Sequence, residues 1–199
     1  MIMRVPAGVE PWLAGWKLSP MINKRKIVVH VILSLPKIGM LTRDLFAVAN
    51  LAVVVAAGQW SYGADIIFVL DESESIGSSV NFQLLKSYLR YLVGRFDYDD
   101  GNTRVGLVTY STNVGTYVSL MHSTLGSLRS AISALRYNGG KTNTAAALAY
   151  VRKVMLTQGS GYRNYLPNVV VLIVAGPSYD LAATQVSAEY LPDILFYTN

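Results

Sequence analysis

Two short polar stretches hold the residues whose types and spacing could do chemistry. In "DESESIG" (71–77), Asp71, Ser73 and Ser75 alternate, so a turning backbone can aim three side-chain oxygens at one point. One carboxylate with two hydroxyls is a hard, oxygen-only ligand set, suited to Mg²⁺ or Mn²⁺ and poor for zinc. A D-x-S-x-S run also serves as a polar loop capping the next helix, and the stretch alone leaves both readings open. The second stretch is "GGKTNT" (139–144), ahead of the helix-prone "AAALAYVRKVML". Its "GKT" matches the end of a phosphate-binding loop, which needs G-x-x-x-x-G-K-[ST] between a strand and a helix. The position five before Gly140 is Leu135, and the segment before it reads as helix, so the loop is too short to wrap phosphates. Thr142 can instead present its hydroxyl at a glycine-permitted turn just before a helix.

The elements that must position these residues alternate between strand and helix. "DIIFVL" (65–70) and "NVVVLIVA" (168–175) are apolar runs of the kind buried on both faces of a sheet. "RVGLVTYS" (104–111) and "TYVSL" (116–120) flank "TNVG" and predict a hairpin, and "ILFYT" (194–198) is a last strand. Between them, Leu85, Leu89, Leu92 and Phe96 fall at helical spacing within 81–96, Leu128, Ile132 and Leu135 within 125–135, and Leu148, Val151 and Met155 within 143–156. A weaker helix is read over 181–191, with Asp180 placed to cap it. The pattern implies an α/β fold, doubly wound, with a mostly parallel central sheet and helices on both faces. Ligands of such sheets bind at the carboxyl ends of the strands. That locates a candidate site in the loops after Leu70, around 139–144 and after Val174.

Taken together, "ADIIFVLDESESIG", "TRVGLVTYS", "GGKTNTAAAL" and "NVVVLIVAGPS" have the order and spacing of a von Willebrand factor type A domain, and residues 64–199 resemble that family, most closely its extracellular matrix and adhesion members. The resemblance implies a Rossmann-like fold with one short antiparallel edge strand, here "TYVSL". It implies a metal-ion-dependent adhesion site whose ligands would be Asp71, Ser73, Ser75 and Thr142. A divalent metal there, Mg²⁺ or Mn²⁺, keeps an open position that an acidic side chain of the partner fills. The partner implied is an extracellular protein, collagen-like or another matrix component. Two departures stand out. The family's strand before this loop ends in T-D-G, whereas this chain has Val174, Ala175 and Gly176, so the fifth member of the metal site is an alanine that cannot ligate. The family's domain also continues through further helix and strand units, which implies that these last units are missing and that "ILFYT" is an edge. An alternative reading follows from Ala175: a degenerate domain acting in metal-independent protein interaction or as a structural unit. Glu72 and Glu74 are read as solvated loop charges, and Tyr110 and Tyr179 as the tyrosines best placed to touch a partner.

Bulk properties narrow the rest. Hydrophobic residues make up 52% and charged residues 15% of the 199, so a packed core is expected. The net charge of +5 sits in residues 1–60, which hold seven Lys/Arg against Glu10 and Asp44; residues 61–199 hold ten basic and ten acidic residues. The folded part therefore has no basic stripe for nucleic acid. There is no cysteine, which excludes disulfides, thiolate metal sites and cysteine nucleophiles. The two histidines, His30 in the leader and His122 after the edge strand, and the lack of a G-x-S-x-G elbow argue against a serine hydrolase. No enzymatic role is expected.

Residues 1–60 form a leader that is expected to be poorly structured, and 61–199 the partial domain. Within the leader, "IVVHVILSL" (27–35) follows the basic "NKRK", and "LFAVANLAVVVAAG" (45–58) follows "MLTRD". The second run would be about 21 Å long as a helix, short of the ~20 residues needed to span a bilayer. Its length and its small-residue "VAAG" end suit a secretory signal peptide starting at Met40, with the first run, from Met21, as the alternative core. A secreted protein is expected. An uncleaved membrane anchor with an extracellular domain, or a buried helix, is the other reading of the same run.

Overall fold

The computed structural model describes residues 28–32, 63–96, 98, 102–122, 124–189 and 194–198. One sheet runs through them. Its strands are β1 (Val28–Ile32), β2 (Ala64–Asp71), β3 (Thr103–Tyr110), β4 (Val114–Val118), β5 (Asn168–Ile173) and β6 (Ile194–Thr198), in the order β4-β3-β2-β5-β1-β6. All neighbours are parallel except β3 and β4, which are antiparallel with a register irregularity between Val108 and Tyr110. The antiparallel edge strand is thus present, two residues earlier than "TYVSL" suggested. β6 lies at the opposite edge.

β2 is central. It pairs with β3 from Ala64 to Asp71 and with β5 from Asp65 to Leu70, and all eight of its residues are buried. Its period-two alternation divides the core. Ala64, Ile66, Phe68 and Leu70 face one layer, built by helices α1 (Ser79–Val93) and α2 (Leu125–Ala134) through residues such as Phe82, Leu89, Leu128 and Ile132. Ile67 and Val69 face the other layer, where α3 (Thr144–Tyr150) contributes Ala147 and Leu148. α4 (Leu181–Glu189) packs against α3. The helical faces read from spacing are the buried ones: Leu85, Leu89, Leu92, Leu128, Ile132, Leu148, Val151 and Met155 are each at most 1% exposed.

Local chemistry sets the helix ends. The Ser78 side chain accepts from the Asn81 amide at the start of α1, and Thr124 and Ser127 close a capping box on α2. Asp180 Oδ1 accepts from the Ala183 amide and caps α4, as anticipated. The single helix expected over 143–156 is not continuous. After Tyr150 it widens into a π-helical turn over Val151–Met155, with the Leu156 amide reaching the Val151 carbonyl. The apolar stripe is indifferent to this change because Val151 and Met155 still point into the core.

The leader contributes one element. Val28–Ile32, from the run read as an alternative signal core, forms β1 and pairs in parallel with β5 on one side and with all of β6 on the other. The longer apolar run at 45–58 lies outside the described residues. Among the described residues, no helix is long and apolar enough to cross a membrane.

At the amino end of β2, away from the candidate site, Asp65 accepts from the Arg163 amide at 2.7 Å and from its Nη2 at 2.6 Å and Nε at 2.8 Å. The Asp65 side chain is fully buried. Burial pushes its carboxyl up more than Arg163 holds it down, so the pair fixes the 162–167 loop against the sheet at an electrostatic cost. Such a pair is costly to break because a buried charge is left alone. Arg163→Met is expected to lower stability by about 3–5 kcal/mol, measured by urea denaturation. An unchanged midpoint would show that the loop is not held by this contact.

Candidate functional site

The site is built at the carboxyl end of β2, where the sheet hands its chain to three loops. β2 delivers Asp71, which is 0% exposed. The backbone then turns through a short 3₁₀ segment (Glu74–Ile76), and the Ser73 amide bends back to donate to Asp71 Oδ1 at 2.8 Å. This turn swings the Ser73 and Ser75 hydroxyls to the same side, towards Thr142.

Thr142 arrives from the other direction. Gly139 and Gly140 have φ of 69° and 86°, the left-handed region where a Cβ is disfavoured. A Cβ on Gly140 would also come within 2.6 Å of Thr112 Oγ1. The turn is clamped by backbone contacts: Gly139 N–H to the Glu72 carbonyl at 3.0 Å, Glu74 N–H to the Gly140 carbonyl at 3.0 Å, and Asn143 N–H to the Ser111 carbonyl at 2.9 Å. Asn143 then caps α3 by accepting from the Ala146 amide. The result places Thr142 Oγ1 2.8 Å from Ser73 Oγ and 2.7 Å from Ser75 Oγ. Asp71, Ser73, Ser75 and Thr142, separated by up to 71 positions in the sequence, thus converge.

The third loop follows β5. Where the family pattern carries an aspartate, the Ala175 amide donates to Asp71 Oδ2 at 3.1 Å. The alanine therefore contributes a hydrogen-bond donor and no carboxylate. Gly176 lets this loop close on the turn, since a Cβ there would lie 2.7 Å from Ser75 Oγ. Ser178 Oγ and the Tyr179 amide both donate to the Thr142 carbonyl, at 3.2 and 3.0 Å, so the β5 loop also fixes the threonine from behind.

The electrostatics are unusual for the absence of cations. Burial pushes the Asp71 carboxyl up, against hydrogen bonds from Ser73 and the Ala175 amide. Burial does the same to Glu72, opposed by Asn138 and Thr109 and reinforced by the Asp71 charge. No Lys, Arg or His is among the groups acting on either. Two adjacent buried carboxyls with no basic partner among the described residues are pushed towards the neutral form unless a cation joins them.

The residues fit a small divalent cation. A Mg²⁺ octahedron with bonds of 2.0–2.1 Å separates neighbouring ligand oxygens by about 2.9 Å. The hydroxyl spacings of 2.7 and 2.8 Å approach that edge. Asp71 has spent one acceptor site of each oxygen on backbone amides, leaving lone pairs for a metal. Among the described residues, no group of three or more His, Cys, Asp and Glu gathers anywhere, so this locus is a one-carboxylate, three-hydroxyl set.

Two sequence expectations change. Glu72 is not a solvated loop charge. It is 2% exposed, and its Oε1 accepts from Asn138 Nδ2 at 2.8 Å beneath the "GGKT" turn. Its burial follows from its place directly after a fully buried strand, a signal present in the sequence; Asn138 as its partner had none. Glu74 is exposed, as read. Tyr110 is not available to a partner: it is 0% exposed in the core beside α3, with its hydroxyl 3.3 Å from Thr144 Oγ1. Tyr179 is 58% exposed. Glu72→Gln, which keeps an acceptor for Asn138, is expected to unfold in urea near the wild-type midpoint. Glu72→Ala removes the carboxylate acceptor beneath the turn, and a loss of about 1.5–3 kcal/mol is expected. Equal midpoints for both variants would remove Glu72 from the support of the turn.

Comparison with known proteins agrees with this geometry. The family model of the von Willebrand factor type A domain matches residues 65–192. Mouse collagen alpha-4(VI) chain is 40% identical over 120 residues, 59% of this chain and 5% of that protein. Human vitrin is 30% identical over 147 residues, 72% of this chain and 22% of that protein. The chain thus spans under a quarter of either curated relative. Proximal thread matrix protein 1 from the mussel byssus, in a structure described as having a zinc-occupied MIDAS motif, superposes with a TM-score of 0.60. It is 26% identical, over 67% of this chain and 37% of that one. With the parallel sheet, its antiparallel edge strand and the matching segment from β2 through α4 in place, the chain belongs to the von Willebrand factor type A domain family.

Proposed function

We propose that this chain is a non-enzymatic adhesion module of a secreted or cell-surface matrix protein, which binds an acidic group of a protein partner through a divalent metal. The observation that carries the reading is the convergence of the Ser73, Ser75 and Thr142 hydroxyls at 2.7–2.8 Å beside the buried Asp71. Relatives named as collagen chains and a thread matrix protein support an extracellular matrix setting, with a collagen-like or other matrix component as the partner. The oxygen-only set favours Mg²⁺ or Mn²⁺.

In this reading Asp71, Ser73, Ser75 and Thr142 hold the metal. Asp71 supplies the charge, oriented by the Ser73 and Ala175 amides. Thr142 sets the distance between the two serine hydroxyls and is itself held by Ser178 and Tyr179. The metal, when bound, offers an open position to a carboxylate oxygen of the partner. Glu72 adds negative charge from beneath the turn. Ala175 lowers the charge available to the cation, so affinity is expected to be weaker than in a site with two carboxylate ligands.

Ala175 also favours a second reading, in which the domain interacts without metal or serves as a structural unit. Thermal unfolding of the chain across a Mn²⁺ or Mg²⁺ titration separates the two. A ligand at about 100 times its Kd stabilises the fold by roughly 2.7 kcal/mol. The metal reading predicts an upward shift in Tm at millimolar metal that Thr142→Ala shrinks, with metal affinity reduced about tenfold or more. A folded wild-type chain with no shift at 10-fold higher metal would leave the metal-independent reading standing.

A further inference from the structure

We propose that Lys141 and Tyr179 form a second, metal-independent anchor at the mouth of this site, taking a carboxylate from an acidic segment of a protein partner. The proposal takes the partner's acidic chemistry from the reading above but needs no metal.

The two residues are held from both sides of Thr142. Lys141 precedes Thr142 in the chain, and its amide donates to Thr112 Oγ1 at 3.0 Å. The Tyr179 amide donates to the Thr142 carbonyl at 3.0 Å. These backbone ties bring side chains 38 positions apart together, with Lys141 Nζ 5.6 Å from the centre of the Tyr179 ring. Both are solvent-exposed, Tyr179 at 58%. Among the described residues no carboxylate pairs with Lys141.

A free surface lysine samples many rotamers and loses that freedom on binding, at up to about 2 kcal/mol. Resting on an aromatic face restricts it beforehand and leaves its outward N–H donors free, which lowers the ordering cost of capturing an anion. Tyr179 adds a rigid apolar surface beside the charge, a combination common where binding energy is concentrated. Charge gives the surface a direction. Glu74 is exposed beside Gly139, so its charge opposes an acidic segment on that part of the turn, whereas Lys141 attracts one. With Ala175 in place of a carboxylate, the cation at the rim is nearer in importance to the metal than it would be in a site with two acidic ligands.

The test uses the full chain and a fluorescent 12-residue Gly/Ser peptide carrying two adjacent Glu, with a Gln twin, read by anisotropy in EDTA at low salt and again in Mg²⁺. The Glu peptide is expected to bind in EDTA and the Gln twin not, with affinity falling several-fold as salt is raised. Lys141→Met is expected to weaken the EDTA-resistant binding at least tenfold, Tyr179→Ala about threefold, and Lys141→Arg to restore it. Glu74→Gln should tighten it, and Lys153→Met, an exposed lysine elsewhere, should not change it. No binding of the Glu peptide in EDTA, or wild-type binding by Lys141→Met, overturns the proposal. If Mg²⁺ adds nothing while Lys141→Met still loses binding, the metal reading fails and this anchor stands. If Mg²⁺ strengthens binding and Lys141→Met is silent, the reverse holds.

Discussion

Everything in this domain hangs on the burial of β2. Its eight residues are covered by a helical layer on each face and hydrogen-bonded to a parallel strand on each side. A strand so enclosed has no freedom to slip, because a shift of one residue would turn each apolar side chain to the opposite layer. Its carboxyl end is therefore a fixed point. Asp71 is the last residue of that strand, and the turn that follows is anchored to it by the Ser73 amide. The polar site inherits its position from the apolar core.

From that fixed point, the site is assembled mainly by backbone hydrogen bonds. The Glu72, Gly140, Ser111 and Thr142 carbonyls each receive an amide from another loop, which knits the ends of β2, β3 and β5 to the "GGKT" turn. Side-chain hydroxyls then need only local rotamers to converge. This division of labour explains how an alanine at 175 is tolerated structurally: the contact it makes to Asp71 is through its amide, which any residue but proline would supply. What the substitution removes is charge, not geometry. The fold of the site and its charge are thus separable properties.

Glu72 shows the converse. Its carboxylate is buried without a cation, yet it accepts from Asn138 and its own backbone atoms bind Tyr110 and Gly139. It ties the support of the turn to negative charge beneath the site. Tyr110, by contrast, spends its aromatic surface in the core, leaving Tyr179 as the exposed tyrosine at the rim.

The sequence by itself determined the alternation of elements, the buried faces of the helices and the central strand, because periodicity of 2 and 3.6 is a local record of which side meets the core. It also marked the oxygen-bearing loops that hold Asp71, Ser73, Ser75 and Thr142, whereas the fold brought those two loops together. Tertiary structure alone decided what depends on distant partners. The fate of Glu72 rested on Asn138, the burial of Tyr110 on α3, and the pairing of Lys141 with Tyr179 on the β5 loop. It also placed Val28–Ile32 between β5 and β6, although that apolar run fits a strand or a signal core equally well. A short hydrophobic segment records that it avoids water but not what covers it, and only the neighbours supplied by the fold answer that.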